Sequence, residues 1–320
     1  MAPDIGRRKC EPKTPNKLTG RLAEIFKYIL KPCFNNLKSV DGYVWTGSTS
    51  EGFAITDHSA RTTRGFIDEM DLMIPVAMPG YVYIHVRRDK TDAFTKEFLT
   101  KLCTTISSDT GEEDHFLSRS KLLKIQGDYV RTRLPAVQSK IDKTSREYGR
   151  IGGRVQLLQQ GPVQTISVFY EATSEDGKTT AEFEQTVDCA LALVCKEWPS
   201  IAKKWETRDR KWPASDVINA IIVAGCHVVP KSYPGEGGDE CLQWRLSFSL
   251  AERTLAHTFT EKQRMFYLVV KKIWRMYLKE PKVLSSYHMK TTMFWVSEQT
   301  PAEKWTQFYL ETDFLNFLIS

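Results

Sequence analysis

The chain has 320 residues, 41% of them hydrophobic and 11% aromatic, which excludes a largely disordered protein and allows a core without disulfide or metal staples. No apolar run approaches the roughly 18 residues a membrane span needs, and the polar start MAPDIGRRKCEPKTPNK has no secretory core, so no membrane and a cytoplasmic location are expected. The net charge of +6 is too mild by itself to prove a nucleic-acid partner, and seven scattered cysteines without a CxxC read as reduced thiols, neither a disulfide frame nor a zinc site.

Residues 1–16, with three prolines and a basic triplet, read as a flexible tail. A helix follows from Lys17, where Leu18, Leu22, Ile25 and Ile29 repeat at helical spacing and Lys17, Arg21, Lys27 and Lys31 occupy other faces. Pro32 limits it. VDGYVWTGS reads as a short strand entering a tight turn. A polar loop is expected from Glu51 to Gly65, then a strand in FIDEMDLMIPV. Strand side chains repeat every two residues, so Glu69 and Asp71 share a face. YVYIHV (81–86) is expected as its hairpin partner.

Residues 91–150 read as mainly helical and basic. Ser118 to Arg154 holds ten basic residues against three acids, and Lys262 to Lys282 holds seven against one. Such blocks can neutralise a phosphate backbone, although solvated helix faces explain either block as well. Strands return at 154–159, 163–172 and 183–194. Beyond Trp198 the texture turns aromatic, basic and helical, ending in the long pattern TEKQRMFYLVVKKIWRMYLK. The boundaries expected are a tail at 1–16, a core lobe at 17–198 and a helical lobe at 199–320, an α+β arrangement. Cys226-His227 lies in an apolar run and reads as core before ligand.

A third acid, Asp188, stands in the apolar strand TVDCALALV. A carboxylate on a buried strand is costly without a metal or partner. Three that converge can hold two divalent ions for an in-line phosphoryl displacement, with magnesium completing its shell from substrate phosphates. Gly47-Ser48 can hold a triphosphate through backbone N–H groups and a hydroxyl. Each part alone is weak. Gly-Ser, then acid-x-acid on a strand, then a single acid on a later strand is the order of the polymerase-β-like nucleotidyltransferases.

The stretches TGSTSEG…DEMDLMIPV, TVDCALALVCKEWP, HVVPK…WRLSFSLAERTL and LSSYHMKT resemble cyclic GMP-AMP synthase and the cGAS-like receptors, in the male-abnormal-type family, over roughly residues 17–300. The resemblance implies a bilobed nucleotidyltransferase fold: a mixed-sheet lobe, a spine helix near the N-terminus and a C-terminal helical lobe. It puts Glu69, Asp71 and Asp188 on two magnesium ions, with manganese as the alternative. Thr46, Gly47 and Ser48 would lie at the donor phosphates and Lys271 (or its neighbour Lys272) and Ser286 at the triphosphate. Lys231 would meet the acceptor nucleotide. Arg245, Ser247, Ser249 and Glu252 would read a nucleobase and Tyr287 would stack on one. Without the resemblance, Tyr287 reads equally as a core tyrosine and Arg245 as a structural ion-pair donor.

The implied activity joins ATP, GTP or other nucleoside triphosphates into a cyclic dinucleotide for a STING-type receptor in innate antiviral defence. The zinc insertion that vertebrate relatives carry after WRLSFS is missing, since ERTLAHTFTEKQRMF runs on with one His and no Cys. No structural zinc is therefore expected, and double-stranded RNA rather than double-stranded DNA is the expected activator, bound by Lys17, Arg21, Lys27 and Lys31 together with the basic blocks. Two other readings stay open: an inactive binding protein that keeps the fold, and a linear-product enzyme like oligoadenylate synthase.

Overall fold

The computed structural model describes residues 44–54, 69–76, 82–85, 99–108, 111–124, 126–128, 131–132, 135, 138–139, 153–160, 163–173, 180–231, 241–278 and 284–306. Ten strands in these residues form one mixed sheet. They are β1 (Val44–Thr46), β2 (Glu69–Val76), β3 (Val82–His85), β4 (Leu99–Ser108), β5 (Gly111–Phe116), β6 (Gly153–Gln160), β7 (Val163–Thr173), β8 (Thr180–Cys195), β9 (Cys226–Val229) and β10 (Gln243–Ser247). The main path runs β1-β2-β8-β9-β10-β4-β3, with β5 on β4, β7 on β8 and β6 on β7.

β8 organises this sheet. It runs parallel to β2 over residues 186–193. On its other edge it pairs antiparallel with β7 over 180–190 and then with β9 over 193–195. Alternation decides what each face carries. Leu72 and Ile74 of β2, Ile166 of β7 and Val187, Cys189, Leu191 and Leu193 of β8 point to one face and are almost fully buried. The residues between them, including Asp71 and Asp188, point to the other. Trp244 of β10 is wholly buried, and its indole N–H donates to the Leu117 carbonyl at 3.2 Å.

The helical part contains α1 (Ser215–Ala224), α2 (Ser249–His257), α3 (Glu261–Ile273) and α4 (Ser286–Gln299). Gln263, Phe266, Tyr267, Val270 and Lys271 are the buried residues of α3. Their spacing of three and four residues is the inward stripe of a helix. Thr260 with Gln263 closes α3, and Ser285 with His288 closes α4, each by reciprocal capping bonds. α1 ends at Gly225, with φ of 72°, where a Cβ would strike the backbone of Cys195 and Lys196. Phe53 inserts into the helical core with Phe259, Phe266, Tyr267, Val270, Met289, Met293 and Trp305. The segment after β1 is thereby anchored to helices two hundred residues later.

Several expectations change. Residues 99–108 and 111–116 are strands, so the described part of the block 91–150 is not mainly helical. Thr100, Thr104, Thr105 and Ile106 are β-branched residues that favour a pleated surface, and among the described residues of the block helix begins at residue 119. β3 pairs with β4, not with β2; the neighbours of β2 are β1 and β8. The expected polar loop starts with two residues that are each 1% exposed, Glu51 and Phe53, and its residues 55–65 lie outside the described residues. β9 and β10 come from beyond residue 199 and join the same sheet. The tail at 1–16 and the helix starting at Lys17 lie outside the described residues. No helix among the described residues is long and apolar enough to cross a membrane.

Candidate active site

Parallel pairing of β2 with β8 sets Asp71 opposite Asp188. Residues in register on neighbouring strands share a face, so both carboxylates leave the sheet on the same side. Asp188 Oδ1 accepts a 2.6 Å hydrogen bond from the Thr165 hydroxyl of β7, Thr165 being its register partner. That bond orients one oxygen of the carboxylate. Glu69, two residues before Asp71 on β2, lies on the same face by the strand repeat; its side chain is outside the described residues. Two hard, partly buried carboxylates side by side, one of them steered by a hydroxyl, fit a hard divalent ion such as magnesium.

β1 brings a second element against this pair. Thr46 is the register partner of Asp71, and the chain then makes one helical turn, Gly47–Ser50. Gly47 has φ of 69°, and a Cβ there would fall on the Asp71 carboxylate. Only glycine lets the turn approach the acid this closely. The first N–H groups of a helical turn have no partner inside it, and the Ser48 hydroxyl stands beside them. Lys271 donates to Ser48 Oγ and to the Phe53 carbonyl, both at 2.8 Å. It is 9% exposed, whereas Lys272 is exposed.

Further side chains brace the same turn from the helices. Arg253 donates to the Trp45 carbonyl at 2.9 Å. Arg264 donates to the Glu51 carbonyl at 2.8 Å and to the Ala256 carbonyl at 3.1 Å. His257 Nε2 lies 2.8 Å from the Ser50 carbonyl. Lys290 donates to Glu51 Oε1 at 2.8 Å and to Glu252 Oε2 at 2.7 Å. Burial raises the Glu51 carboxyl above its ordinary range, and Lys290 opposes the rise.

Arg245 and Ser247 of β10 lie on the carboxylate face of the sheet. Ser247 and Ser249 hydroxyls are 3.0 Å apart. Burial lowers the Arg245 guanidinium from its ordinary value, and Tyr287 and Glu252 partly offset this. Lys231 is also lowered, first by burial and then by the charge of Arg245. The Tyr287 hydroxyl donates to Glu252 Oε1 at 3.3 Å while its side chain stays half-exposed. The Ser286 carbonyl accepts from the Tyr267 hydroxyl at 3.4 Å. Thr46, Gly47, Ser48, Asp71, Asp188 and Lys271 thus form one group, and Arg245, Lys231, Glu252 and Tyr287 another. Glu252 is the link, through Lys290 and Glu51. Lys17, Arg21, Lys27 and Lys31 lie outside the described residues.

Sequence reasoning left out Glu51, Thr165, Arg253, Arg264 and Lys290. Glu51 and Lys290 stand inside TGSTSEG and SSYHMKT, so the one acid of the first stretch and the one lysine of the second were the available signal. Nothing local marks Thr165, Arg253 or Arg264. A family model described as the Mab-21 protein nucleotidyltransferase domain matches residues 67–257 of this chain.

Proposed function

Because the chain belongs to the Mab-21 nucleotidyltransferase family, we propose that it is a cyclic dinucleotide synthase of the cGAS-like receptor kind, switched on in the cytoplasm by double-stranded RNA. Its substrates are nucleoside triphosphates, and its product is read by a STING-type receptor. The observation that carries the reading is the in-register pair Asp71 and Asp188 beside the Gly47–Ser50 turn.

In this reading Asp71, Asp188 and Glu69 hold magnesium, or manganese in its place. Divalent ions held there would supply neutralisation of the phosphate charge and a lowered pKa for the attacking hydroxyl. Thr46, Gly47 and Ser48 orient the donor triphosphate, with Lys271 fixing Ser48 and adding positive charge beside it. Ser286 touches the triphosphate in the same reading. Arg245, Ser247, Ser249 and Glu252 address a base edge, Tyr287 offers its half-exposed ring for stacking, and Lys231 serves the acceptor. Each transfer forms one ribose O–P bond, breaks one P–O bond and releases pyrophosphate. Two transfers close the ring. Lys17, Arg21, Lys27 and Lys31 with the basic blocks, other than Arg264 and Lys271, meet the duplex, and no structural zinc takes part.

The test is a matrix of the protein, Mg²⁺, the four nucleoside triphosphates and either duplex, read for phosphatase-resistant product. Cyclic product with duplex RNA supports the reading. A phosphatase-sensitive linear product would point to an oligoadenylate-synthase-like enzyme, and duplex binding without product to an inactive binding protein.

A further inference from the structure

Lys290 lies on α4, less than one helical turn after Tyr287. Its side chain is 13% exposed and its single ammonium meets two carboxylates, Glu51 at 2.8 Å and Glu252 at 2.7 Å. The two acids serve different parts of the pocket. Glu51 closes the Gly47–Ser50 turn at the phosphate side. Glu252 sits in the first turn of α2 and accepts from the Tyr287 hydroxyl. The Lys290 ammonium also lies 5.6 Å from the centre of the Tyr287 ring, within reach of a cation–π attraction. One cation therefore ties the phosphate turn to the side chains that face a base.

This triad is poorly explained as a stability device. A buried ion pair gains little over apolar packing of the same volume, and here two carboxylates share one ammonium. Glu51 Oε2 is buried without a hydrogen-bond partner among the described residues. Burial alone would lower the Lys290 ammonium, but Glu252 and then Glu51 outweigh it and keep the group charged. What three charged groups at short range do supply is direction, because each charge-assisted bond fixes a distance and an angle.

We propose that Lys290 is a positioning residue that couples the phosphate turn to the nucleobase side of the pocket, and so sets the base of a bound nucleoside triphosphate against Tyr287 once its phosphates are seated. The proposal rests on the nucleotide-binding reading above. It predicts that a change at the phosphate end is felt as a loss of base recognition.

The test compares a non-hydrolysable purine nucleoside triphosphate with tripolyphosphate, each with Mg²⁺, by calorimetry on wild type, Glu51→Gln and the triple variant Lys290→Met/Glu51→Gln/Glu252→Gln. The triple variant removes the three charges of the cluster together, and Glu51→Gln alone keeps Lys290 bound to Glu252. Wild type should prefer the nucleotide over tripolyphosphate. Both variants should lose about tenfold of that preference, the size of one charge-assisted bond, with melting temperatures near wild type. Glu51→Gln weakening both ligands equally, or a folded triple variant with the wild-type preference, would overturn the coupling. Wild type that binds neither ligand would instead sink the nucleotide-binding reading itself.

Discussion

Asp71 and Asp188 stand opposite each other in register across the parallel strands β2 and β8. They come from segments more than a hundred residues apart and leave the same face of the sheet. Asp71→Asn or Asp188→Asn should abolish nucleotide joining, because a neutral amide is a poor ligand for the divalent ions proposed at this pair. Folding and duplex binding should persist, since the amide is nearly isosteric. Melting curves, gel shifts and product assays with Mg²⁺ check this; wild-type rates from Asp188→Asn would remove it from the site.

Gly47→Ala should lose activity and stability together. The new Cβ would strike the Asp71 carboxylate, and the backbone at φ of 69° is strained for any L side chain. The left-handed conformation alone costs about 1–2 kcal/mol, which lowers the melting temperature by a few degrees in a chain of this size. Thermal melts and initial rates measure the two effects separately.

Two neighbouring lysines should behave differently. Lys271→Met removes the donor to Ser48 Oγ and leaves the Phe53 carbonyl without it. A buried acceptor stripped of its partner costs about 1–3 kcal/mol, and the Michaelis constant for triphosphate should rise as Ser48 loses its anchor. Lys272→Met, at an exposed position, should stay within about 0.5 kcal/mol of wild type. Denaturant titrations of both variants decide the point, and equal losses would refute the assignment.

His227 predicts a pH dependence of stability. Burial pushes its imidazole down to about 4, and Nδ1 has no hydrogen-bond partner among the described residues. The folded protein thus holds the neutral ring where the unfolded chain, near the ordinary value of about 6.5, takes up a proton. The stability that the neutral ring contributes is present above pH 6.5 and falls as pH drops toward 4, by up to about 3 kcal/mol. His227→Gln should flatten that acid limb in denaturant titrations run from pH 7 to pH 4.

Duplex RNA should stimulate synthesis and duplex DNA should do so poorly. Binding should weaken steeply with salt, since each neutralised phosphate adds about 0.7–0.9 to the slope of log affinity on log salt. Base sequence should matter little, because an A-form duplex hides its base edges in a deep groove. Arg21→Glu with Lys27→Glu should weaken binding and activation together. Equal stimulation by both duplexes, or full activity with neither, would be the contrary result.

Local order along the chain was enough to read part of this protein. Strand-like stretches marked β2, β6, β7 and β8 to within a few residues, and the two-residue strand repeat put Glu69 and Asp71 on one face. The long helical pattern TEKQRMFYLVVKKIWRMYLK marked α3, but not which of its residues turn inward. The order of a Gly-Ser turn, an acid-x-acid strand and a single-acid strand, with four longer stretches, pointed to the nucleotidyltransferase family. Such signals survive in one dimension because they arise between residues a few positions apart. The tertiary structure alone decided which strand lies beside which: β8 next to β2, and β3 on β4. It separated Lys271 from Lys272 by turning one inward. It also brought Arg253, His257, Arg264, Lys271 and Lys290 back onto a turn some two hundred residues earlier. Contacts between segments so far apart depend on the register of distant strands and on the faces of packed helices, and neither leaves a period in the sequence.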